Sequence, residues 1–266
     1  DAQESRGLGD VYKRQGKNLD LTGKLNEILT HLPTLQQLVV VPYANTSCTA
    51  DDFQTEAKVE CWEDFYQAEG EPSFTPVPFE QPLYILYSSG TTGVPKCIVH
   101  GAGGTLLQHV KELGLHSDVG ADDTLFYYTT CGWMMWNWLV SGLALGATLV
   151  LYDGSPFHPE PTRLIDLIDA EEISVFGTSA KFIAALEKAG AKPRETHKLS
   201  RLKAILSTGS PLAHESFDYV YRDIKTDVCL SSISGGTDIV SCFALGNPVS
   251  PVYRGEIQCK GLGMDV

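Results

Sequence analysis

The sequence lacks a surplus of positive charge. Its 20 lysine and arginine residues are outnumbered by 33 aspartate and glutamate residues, which gives a formal net charge of −13 at pH 7. General binding to nucleic acid or to an anionic membrane surface depends on an excess of positive charge. We therefore expect neither as a partner, although a local basic pocket for a phosphorylated ligand is compatible with this composition.

Closely spaced cysteines and a leader peptide are also missing. The seven cysteines are scattered, and no two have the C-x-x-C spacing that is typical of zinc sites. Scattered thiols are typical of a reducing compartment, and the first residues contain no basic and then apolar stretch of a secretion signal. We expect a cytoplasmic protein without a zinc site.

One long stretch contains no charged residue. Residues 124–152 are numerous enough to cross a bilayer, but acidic residues flank them in place of Lys or Arg, and glycines interrupt them. The pattern favours a strand at 124–130, a buried helix at about 133–145 and a strand at 147–151. We expect no membrane span.

Hydrophobic periodicity beyond residue 153 alternates between two patterns. Amphipathic helices alternate with short apolar strands, in chain order at 162–170, 173–177, 180–189, 202–207, 213–221 and 226–231. This alternation predicts β-α-β units. We therefore predict an α/β fold in which mainly parallel β-sheets are flanked by helices.

The amino-terminal part has weaker patterns. Residues 1–15 show no apolar periodicity and are predicted to be a disordered tail, outside a folded part at 16–266. A helix that Pro33 ends, a strand at 37–43 and a short helical patch at 62–66 are predicted next.

A glycine- and hydroxyl-rich loop follows a predicted strand at 83–87. It reads Tyr87-Ser-Ser-Gly-Thr-Thr-Gly-Val-Pro-Lys96 and precedes a predicted helix at 104–113. Its glycines allow backbone N–H groups to point inward, its hydroxyls add donors and Lys96 adds positive charge, so a strand–loop–helix arrangement would surround phosphate oxygens. The spacing differs from that of the P-loop, and a flexible surface loop is the alternative interpretation.

The loop resembles the signature of the acyl-adenylate-forming superfamily, which includes the acyl-CoA synthetases. Ser207-Thr-Gly-Ser-Pro-Leu212 is similar to the adenine-binding turn of that superfamily, and Ser234-Gly-Gly-Thr-Asp238 is similar to its aromatic-x-Thr-Glu motif. The run at 129–137 is most similar to the acetoacetate-activating branch. The resemblance covers residues 16–266 and implies a partial AMP-binding domain, an internal part of the large amino-terminal domain of such enzymes.

The resemblance implies an ATP-dependent ligase. These enzymes convert a carboxylate and ATP into an acyl adenylate and pyrophosphate, and the thiol of CoA then displaces AMP. The implied substrates are acetoacetate, ATP and CoA, and the implied metal is Mg²⁺.

The resemblance also assigns roles to residues. The β- and γ-phosphates would contact Ser88, Ser89, Gly90, Thr91, Thr92, Gly93 and Lys96. The nucleotide slot would be lined by Gly209, Ser210, Pro211, Ser232, Ile233, Ser234, Gly235 and Gly236. Thr237 would contact the α-phosphate and act in catalysis with Lys96, and Asp238 would hold Mg²⁺ where most of the superfamily has Glu. Turn chemistry without a ligand is the alternative for the Gly, Ser and Pro positions.

The acid pocket is assigned from side-chain volume. By the resemblance, acetyl-CoA synthetases have a Trp at the position of Gly235, so glycine would leave room for a four-carbon 3-oxo acid. The remaining walls would be Trp133, Met134, Met135 and Thr208. A helix core is the alternative for the Trp and Met residues.

Two other functions stay open: a CoA ligase for another short-chain acid, and a non-catalytic nucleotide-binding module. His100 lies close to the glycine-rich loop, but a lone histidine more often has a structural role.

The carboxy-terminal lid domain of the superfamily has no counterpart within the sequence. Since the lid supplies part of the closed active site, we expect these 266 residues alone to catalyse negligible acetoacetate-dependent pyrophosphate release. A pyrophosphate assay measures this, and rates like those of a complete ligase would contradict it.

Overall fold

The computed structural model of the chain describes residues 20–42, 47–66, 69–88 and 95–266. These residues divide into two units. The first comprises the described residues up to Pro76 together with Asp153–Ser155, and the second comprises Val77–Tyr152 and Pro156–Val266. The predicted tail at 1–15 lies outside the described residues.

The described part of the first unit contains a parallel strand pair and short helices. In chain order these are α1 (Thr22–Leu29), β1 (Gln37–Val40), β2 (Lys58–Cys61) and α2 (Trp62–Phe65). β1 and β2 pair in parallel. Asn26 of α1 donates to the carbonyl of Asp52 at 2.9 Å and accepts from the amide of Gln54 at 2.8 Å, which joins α1 to the segment before β2. The helix, the first strand and the helical patch are confirmed, whereas β2 escapes prediction because half of its residues are charged.

The second unit begins with an antiparallel hairpin and a helix. β3 spans Pro82–Ser88, β4 spans Lys96–Gly101 and α3 spans Ala102–Lys111, followed by a π-helical turn at Glu112–His116. The predicted helix is confirmed, but the prediction that the loop leads directly from a strand into this helix is wrong. A second strand intervenes because β-branched residues of β4 pair with apolar residues of β3, with Val99 opposite Ile85.

The rest of the second unit is a parallel sheet with helices and a small antiparallel sheet. Its elements are, in chain order, β5 (Thr124–Tyr127), α4 (Met134–Val140), β6 (Thr148–Val150), α5 (Arg163–Ala170), β7 (Val175–Ser179), α6 (Ala180–Lys188), α7 (Pro193–Thr196), β8 (Ala204–Thr208), α8 (His214–Tyr219), β9 (Cys229–Ser232), β10 (Ser234–Gly236), β11 (Ser241–Leu245) and β12 (Cys259–Lys260).

The parallel sheet has the strand order β6-β5-β7-β8-β9. This confirms the predicted α/β fold with a parallel sheet flanked by helices. β10, β11 and β12 form a separate antiparallel sheet, which the periodicity does not reveal because these strands are too short to show an alternation.

Successive side chains of the parallel strands enter two different layers of core. One layer contains the strand residues Phe126, Phe176, Ile205 and Leu230, packed with side chains of α5, α6 and α8. The other contains their neighbours Leu125, Val175, Ala204 and Leu206, packed with side chains of α4 and β11. Because neighbouring residues of a strand point to opposite faces, apolar residues at every position bury both faces of a parallel sheet.

The uncharged stretch at 124–152 forms β5, α4 and β6, and Trp138 of α4 is fully buried. Among the described residues, no helix combines the length and the apolar character that crossing a bilayer requires.

Asp123 is a buried anchor at the amino end of β5. Its carboxylate accepts hydrogen bonds from the Ser174 hydroxyl at 2.7 Å and the Gly120 amide at 2.8 Å, and it pairs with the Lys203 ammonium at 2.9 Å. Burial raises the pKa of Asp123, but the hydrogen bonds from Lys203, Ser174 and Gly120 outweigh burial and hold the pKa below its ordinary value. A carboxyl with a lowered pKa stabilises the fold above its unfolded-state pKa, and this contribution is lost as the pH falls through the folded-state pKa.

We expect Asp123→Asn to lower the free energy of unfolding by about 1–3 kcal/mol at neutral pH, since the amide no longer pairs with the Lys203 ammonium. The difference from the unchanged protein should begin to narrow below the unfolded-state pKa of about 4 and should be lost as the pH falls through the lower folded-state pKa of Asp123. Asp118→Asn is the matched control, because Asp118 contacts the same lysine at 3.2 Å but is exposed. Urea unfolding at neutral and acidic pH measures both variants, and an equal loss for the two at every pH would show that Asp123 is not a special anchor.

Candidate functional site

The carboxyl ends of β5, β7, β8 and β9 lie at one edge of the parallel sheet. Open α/β sheets bind ligands in the crevice outside the carboxyl ends of their strands. The residues predicted from the sequence to form the nucleotide and acid sites follow β5, β8 and β9. The fold therefore brings these predicted groups to the same edge of the sheet.

The turn after β8 is exposed and depends on glycine. Thr208 ends the strand, and Gly209 has a φ of 86°, a left-handed conformation that glycine adopts without strain. A Cβ at Gly209 would meet no heavy atom within 4 Å, so conformation and not space demands glycine here. Ser210 and Pro211 are exposed beside it. The turn can therefore present backbone and hydroxyl groups to a ligand.

The chain after β9 runs beside this turn. Ser232 ends β9, and the amide of Ile233 donates to the carbonyl of Ser207 at 2.8 Å, so the pairing with β8 extends by one residue. Ser234 and Gly235 are then exposed in β10. The Ile233 side chain is buried in the core, which leaves only its backbone for ligand contact.

Thr237 and Asp238 occupy the turn between β10 and β11. The carbonyl of Thr237 accepts from the amide of Val240 at 3.2 Å and from the Nε2–H of His100 at 2.9 Å. His100 belongs to β4, the strand that begins at Lys96. This contact connects the hairpin that carries Lys96 with the turn that carries Asp238.

Only the ends of the glycine- and hydroxyl-rich loop are described. Ser88 ends β3 and lies opposite Lys96, which is exposed at the start of β4. The predicted phosphate-binding residues Ser89, Gly90, Thr91, Thr92 and Gly93 lie outside the described residues. α3 begins only after β4, at the far end of the hairpin from Ser88 and Lys96.

The carboxylate of Asp238 fits the chemistry of Mg²⁺. It is exposed, and Mg²⁺ is usually held by one or two carboxylates, water and substrate phosphates. Among the described residues, no group of three or more His, Cys, Asp or Glu side chains could hold a metal ion by itself. The donor set therefore suits a metal that is shared with phosphate oxygens of a ligand.

The predicted acid-pocket residues separate into exposed and buried members. Trp133 is 44% exposed and precedes α4, whereas Met135 is buried in the core with Trp138. Met134 is partly buried against the same core. Met135 and Trp138 are therefore residues of the helix core, which was the alternative to a pocket role. Trp133 stays accessible at the carboxyl edge of the sheet.

Gly235 has a different physical reason to be glycine than the one expected from the sequence. A Cβ at this position would lie 2.3 Å from the carbonyl oxygen of Ser241 and 2.9 Å from the Cα of Cys242, both in β11. The direction of a side chain is therefore filled by backbone. The expectation that glycine here opens an acid pocket is not supported by this geometry, and close pairing of β10 with β11 accounts for the residue.

Three buried hydroxyls near the carboxyl edge are not among the residues predicted from the sequence. Thr130 follows β5, Thr178 lies in β7 and Ser207 lies in β8, opposite Thr178. Within the described part of the chain, none of the three side-chain oxygens has a hydrogen-bond partner. Buried polar atoms are normally paired, so these oxygens are available to water or to a ligand. Ser and Thr are too common at strand ends for sequence alone to identify them.

Cys242 of β11 is not a candidate nucleophile. Burial raises the pKa of the Cys242 thiol well above its ordinary value, with a further contribution from the nearby Glu112 carboxylate. The reactive form of cysteine is the thiolate. Cys242, which is buried and protonated at neutral pH, is therefore a core residue.

Residues 17–252 match the family of AMP-binding enzymes, and the chain belongs to that family. It is 55% identical over 260 residues to acetoacetyl-coenzyme A synthetase of Rhizobium meliloti (strain 1021), which covers 97% of this chain and 39% of the relative. It is 51% identical over 255 residues to acetoacetyl-CoA synthetase of Gallus gallus, which covers 94% of this chain and 38% of the relative.

A solved structure, acetoacetyl-CoA synthetase from Streptomyces lividans, superposes with a TM-score of 0.88 at 42% identity, covering 96% of this chain and 39% of that chain. The resemblance to acyl-adenylate-forming enzymes, read from the motifs, is confirmed. The chain spans about 39% of the length of the relatives that it matches.

We expect Gly235→Ala to lower the free energy of unfolding by about 1–3 kcal/mol, because the new methyl group must displace the backbone of β11. Gly236→Ala is the matched control, since a Cβ at that neighbouring position would meet no heavy atom within 4 Å. The control should stay within about 0.5 kcal/mol of the unchanged protein. Urea unfolding of the two variants measures the difference, and equal stabilities would show that β10 and β11 do not approach as closely as described.

Proposed function

We propose that the protein containing this sequence is an ATP-dependent acid–thiol ligase that activates acetoacetate. The observation that carries the proposal is that three motif segments meet. His100, in the hairpin that carries Lys96, contacts the turn that carries Thr237. That turn comes after the Gly209–Pro211 turn and β9, at the carboxyl edge of the sheet. Two relatives and a solved structure named as acetoacetyl-CoA synthetases support the choice of acid.

The first step joins two anions. A carboxylate oxygen of acetoacetate attacks the α-phosphorus of ATP, the bond from that phosphorus to the bridging oxygen breaks, and pyrophosphate leaves with the electron pair. In the proposed arrangement Lys96, Ser88 and the donors at 89–93 hold the β- and γ-phosphates, where negative charge increases. Fixed donors and a cation at developing charge are the most effective form of stabilisation in such a step.

Thr237 and Asp238 are proposed to act at the α-phosphate. The Thr237 side chain would donate to an α-phosphate oxygen, and Asp238 would ligate Mg²⁺ together with phosphate oxygens and water. When bound, Mg²⁺ would neutralise phosphate charge and so favour both the approach of the carboxylate and the departure of pyrophosphate. Because the acid and ATP are both anionic, such local compensation lowers the repulsion between them.

The second step transfers the acyl group to sulfur. The CoA sulfur attacks the carbonyl carbon of acetoacetyl-AMP, the bond from that carbon to the phosphate oxygen breaks, AMP leaves, and the thiol proton is released. The adenine of the nucleotide would lie between the Gly209–Pro211 turn and the exposed part of β10. Trp133 and Thr208, both accessible at the carboxyl edge, would contact the acid, with Met134 and Met135 supporting Trp133 from the core.

The metabolic role and the cellular location of the protein are proposed from the same named relatives and from its cysteines. A ligase that produces acetoacetyl-CoA would return acetoacetate, a ketone body, to lipid metabolism. The scattered free cysteines are those of a protein in a reducing compartment, which supports a cytoplasmic location.

We expect the protein expressed from its whole open reading frame to release pyrophosphate with acetoacetate in preference to acetate, propionate, butyrate and 3-hydroxybutyrate. Asp238→Asn should lower kcat/KM about 10- to 100-fold and raise the Mg²⁺ concentration needed for half-maximal rate, because a metal ligand is lost. Glu171→Gln is the matched control, since it removes one exposed carboxylate just after α5, at the amino end of β7.

The outcomes separate the alternatives. Preference for a different acid would identify a ligase of the same class with another substrate. ATP binding that depends on neither Mg²⁺ nor acid, without pyrophosphate release, would instead identify a nucleotide-binding module.

A further inference from the structure

Two histidines hold the two ends of the turn between β10 and β11. The Nε2 atom of His100 lies 2.9 Å from the carbonyl oxygen of Thr237, and the Nε2 atom of His109 lies 2.6 Å from the carbonyl oxygen of Val240. A carbonyl oxygen only accepts, so each imidazole must donate from Nε2. We call His100 and His109 the histidine clamp and residues 237–240 the clamped turn.

The two histidines of the clamp and Lys96 belong to one continuous segment of the chain. His100 lies in β4, which begins at Lys96, and His109 lies in α3, which follows β4 without a break. A displacement of this segment is therefore transmitted to both ends of the clamped turn, and thus to Thr237 and Asp238.

The His109 imidazole is in a position to donate a hydrogen bond in its neutral form. It is fully buried, and burial lowers the pKa of its imidazole below the ordinary value. A neutral imidazole has a single N–H, which Val240 requires at Nε2, and Nδ1 lies 2.9 Å from the Ser141 hydroxyl. Because it is buried, His109 has no access to a substrate and can act on the reaction only through the turn.

The clamped turn has a backbone conformation that needs support. Val240 has a φ of 47°, in the left-handed region that β-branched residues rarely adopt. Such conformations persist where the surroundings over-determine them, and they are concentrated at functional sites. The next residues are held from the π-helical turn that follows α3, since Glu112 accepts from the amide of Cys242 at 2.9 Å and from the hydroxyl of Ser241.

We propose that His100 and His109 are positioning residues, which fix the clamped turn so that Thr237 and Asp238 are oriented toward the phosphate groups of ATP. This inference rests on the proposed function in one respect, namely that Thr237 and Asp238 contact the nucleotide and its metal. The clamp itself is a set of hydrogen bonds and is tested separately from the reaction.

The kinetic test uses the protein expressed from its whole open reading frame. We expect His109→Leu, and likewise His100→Leu at the half-buried position, to raise KM for MgATP about 5- to 10-fold, as the loss of one hydrogen bond permits. KM for the acid should change less than about 2-fold, because its contacts are elsewhere. His109→Gln, which retains a terminal N–H donor, should restore most of the MgATP affinity.

His116→Leu is the matched control for a purely structural role. His116 is also buried and contacts a carbonyl oxygen through its ring, that of Gly246 at 2.8 Å, but this contact lies at the far end of β11 from the clamped turn. We expect His116→Leu to lower thermal stability while leaving KM for MgATP unchanged. If His109→Leu behaves like His116→Leu in both measurements, the positioning role is excluded.

A measurement that does not depend on enzyme activity tests the clamp even if a variant or the unchanged protein is inactive. Hydrogen–deuterium exchange of the peptide covering residues 237–242 should become at least about 10-fold faster in His109→Leu than in the unchanged protein, and should stay slow in His109→Gln and His116→Leu. Unchanged exchange in His109→Leu would overturn the clamp. Faster exchange in His109→Leu, combined with an unchanged protein that activates no acid, would uphold the clamp and reject the proposed function.

Relief of the backbone strain offers a further check. In a Val240→Gly background the left-handed conformation no longer needs support. The increase of KM for MgATP caused by His109→Leu should therefore be smaller in this background than in the unchanged protein. An equal or larger increase would show that the clamp does not act by holding Val240 in its strained conformation.

Discussion

Parallel pairing of β5, β7, β8 and β9 is the constraint on which the candidate site depends. Parallel strands present their carboxyl ends at the same edge, so the segments that follow them meet although they are far apart in sequence. Trp133, the Gly209–Pro211 turn and the end of β9 reach one region for this reason. Both faces of the sheet are covered by apolar side chains, so a ligand can approach these strands at their ends but not across a face.

A second constraint joins the small antiparallel sheet to the π-helical turn that follows α3. The Glu112 carboxylate is fully buried and accepts from the Trp138 indole at 3.0 Å, the Cys242 amide at 2.9 Å and the Gln108 amide at 2.9 Å. Because burial removes this carboxylate from water, the loss of any one of these donors would be costly, and the donors are therefore held in place around it. β11 is thereby held to the end of the segment formed by α3 and its π-helical turn, and the turn before β11 is held with it.

Much of the fold and part of the site follow from local pattern. The alternation of helices and strands beyond residue 153, and the division of 124–152 into strand, helix and strand, are read correctly because burial imposes the period of each element. Two kinds of error have one cause: β4 and the strands β10, β11 and β12 are defined by pairing with the strands next to them along the chain, and not by an alternation of their own. Local periodicity contains no information about such partners.

From local chemistry alone the sequence indicated phosphate binding, because its glycine, hydroxyl and lysine residues meet conformational and chemical requirements that act over a few neighbouring positions. The class of protein followed from the resemblance of those motifs to a known superfamily. The tertiary structure alone decided what surrounds those motifs. It placed the backbone of β11 where a side chain of residue 235 would lie, buried Met135 in the core and brought His100 and His109 to the turn of Asp238. These outcomes depend on which backbone atoms meet across the fold, and a linear order of residues does not specify those distances.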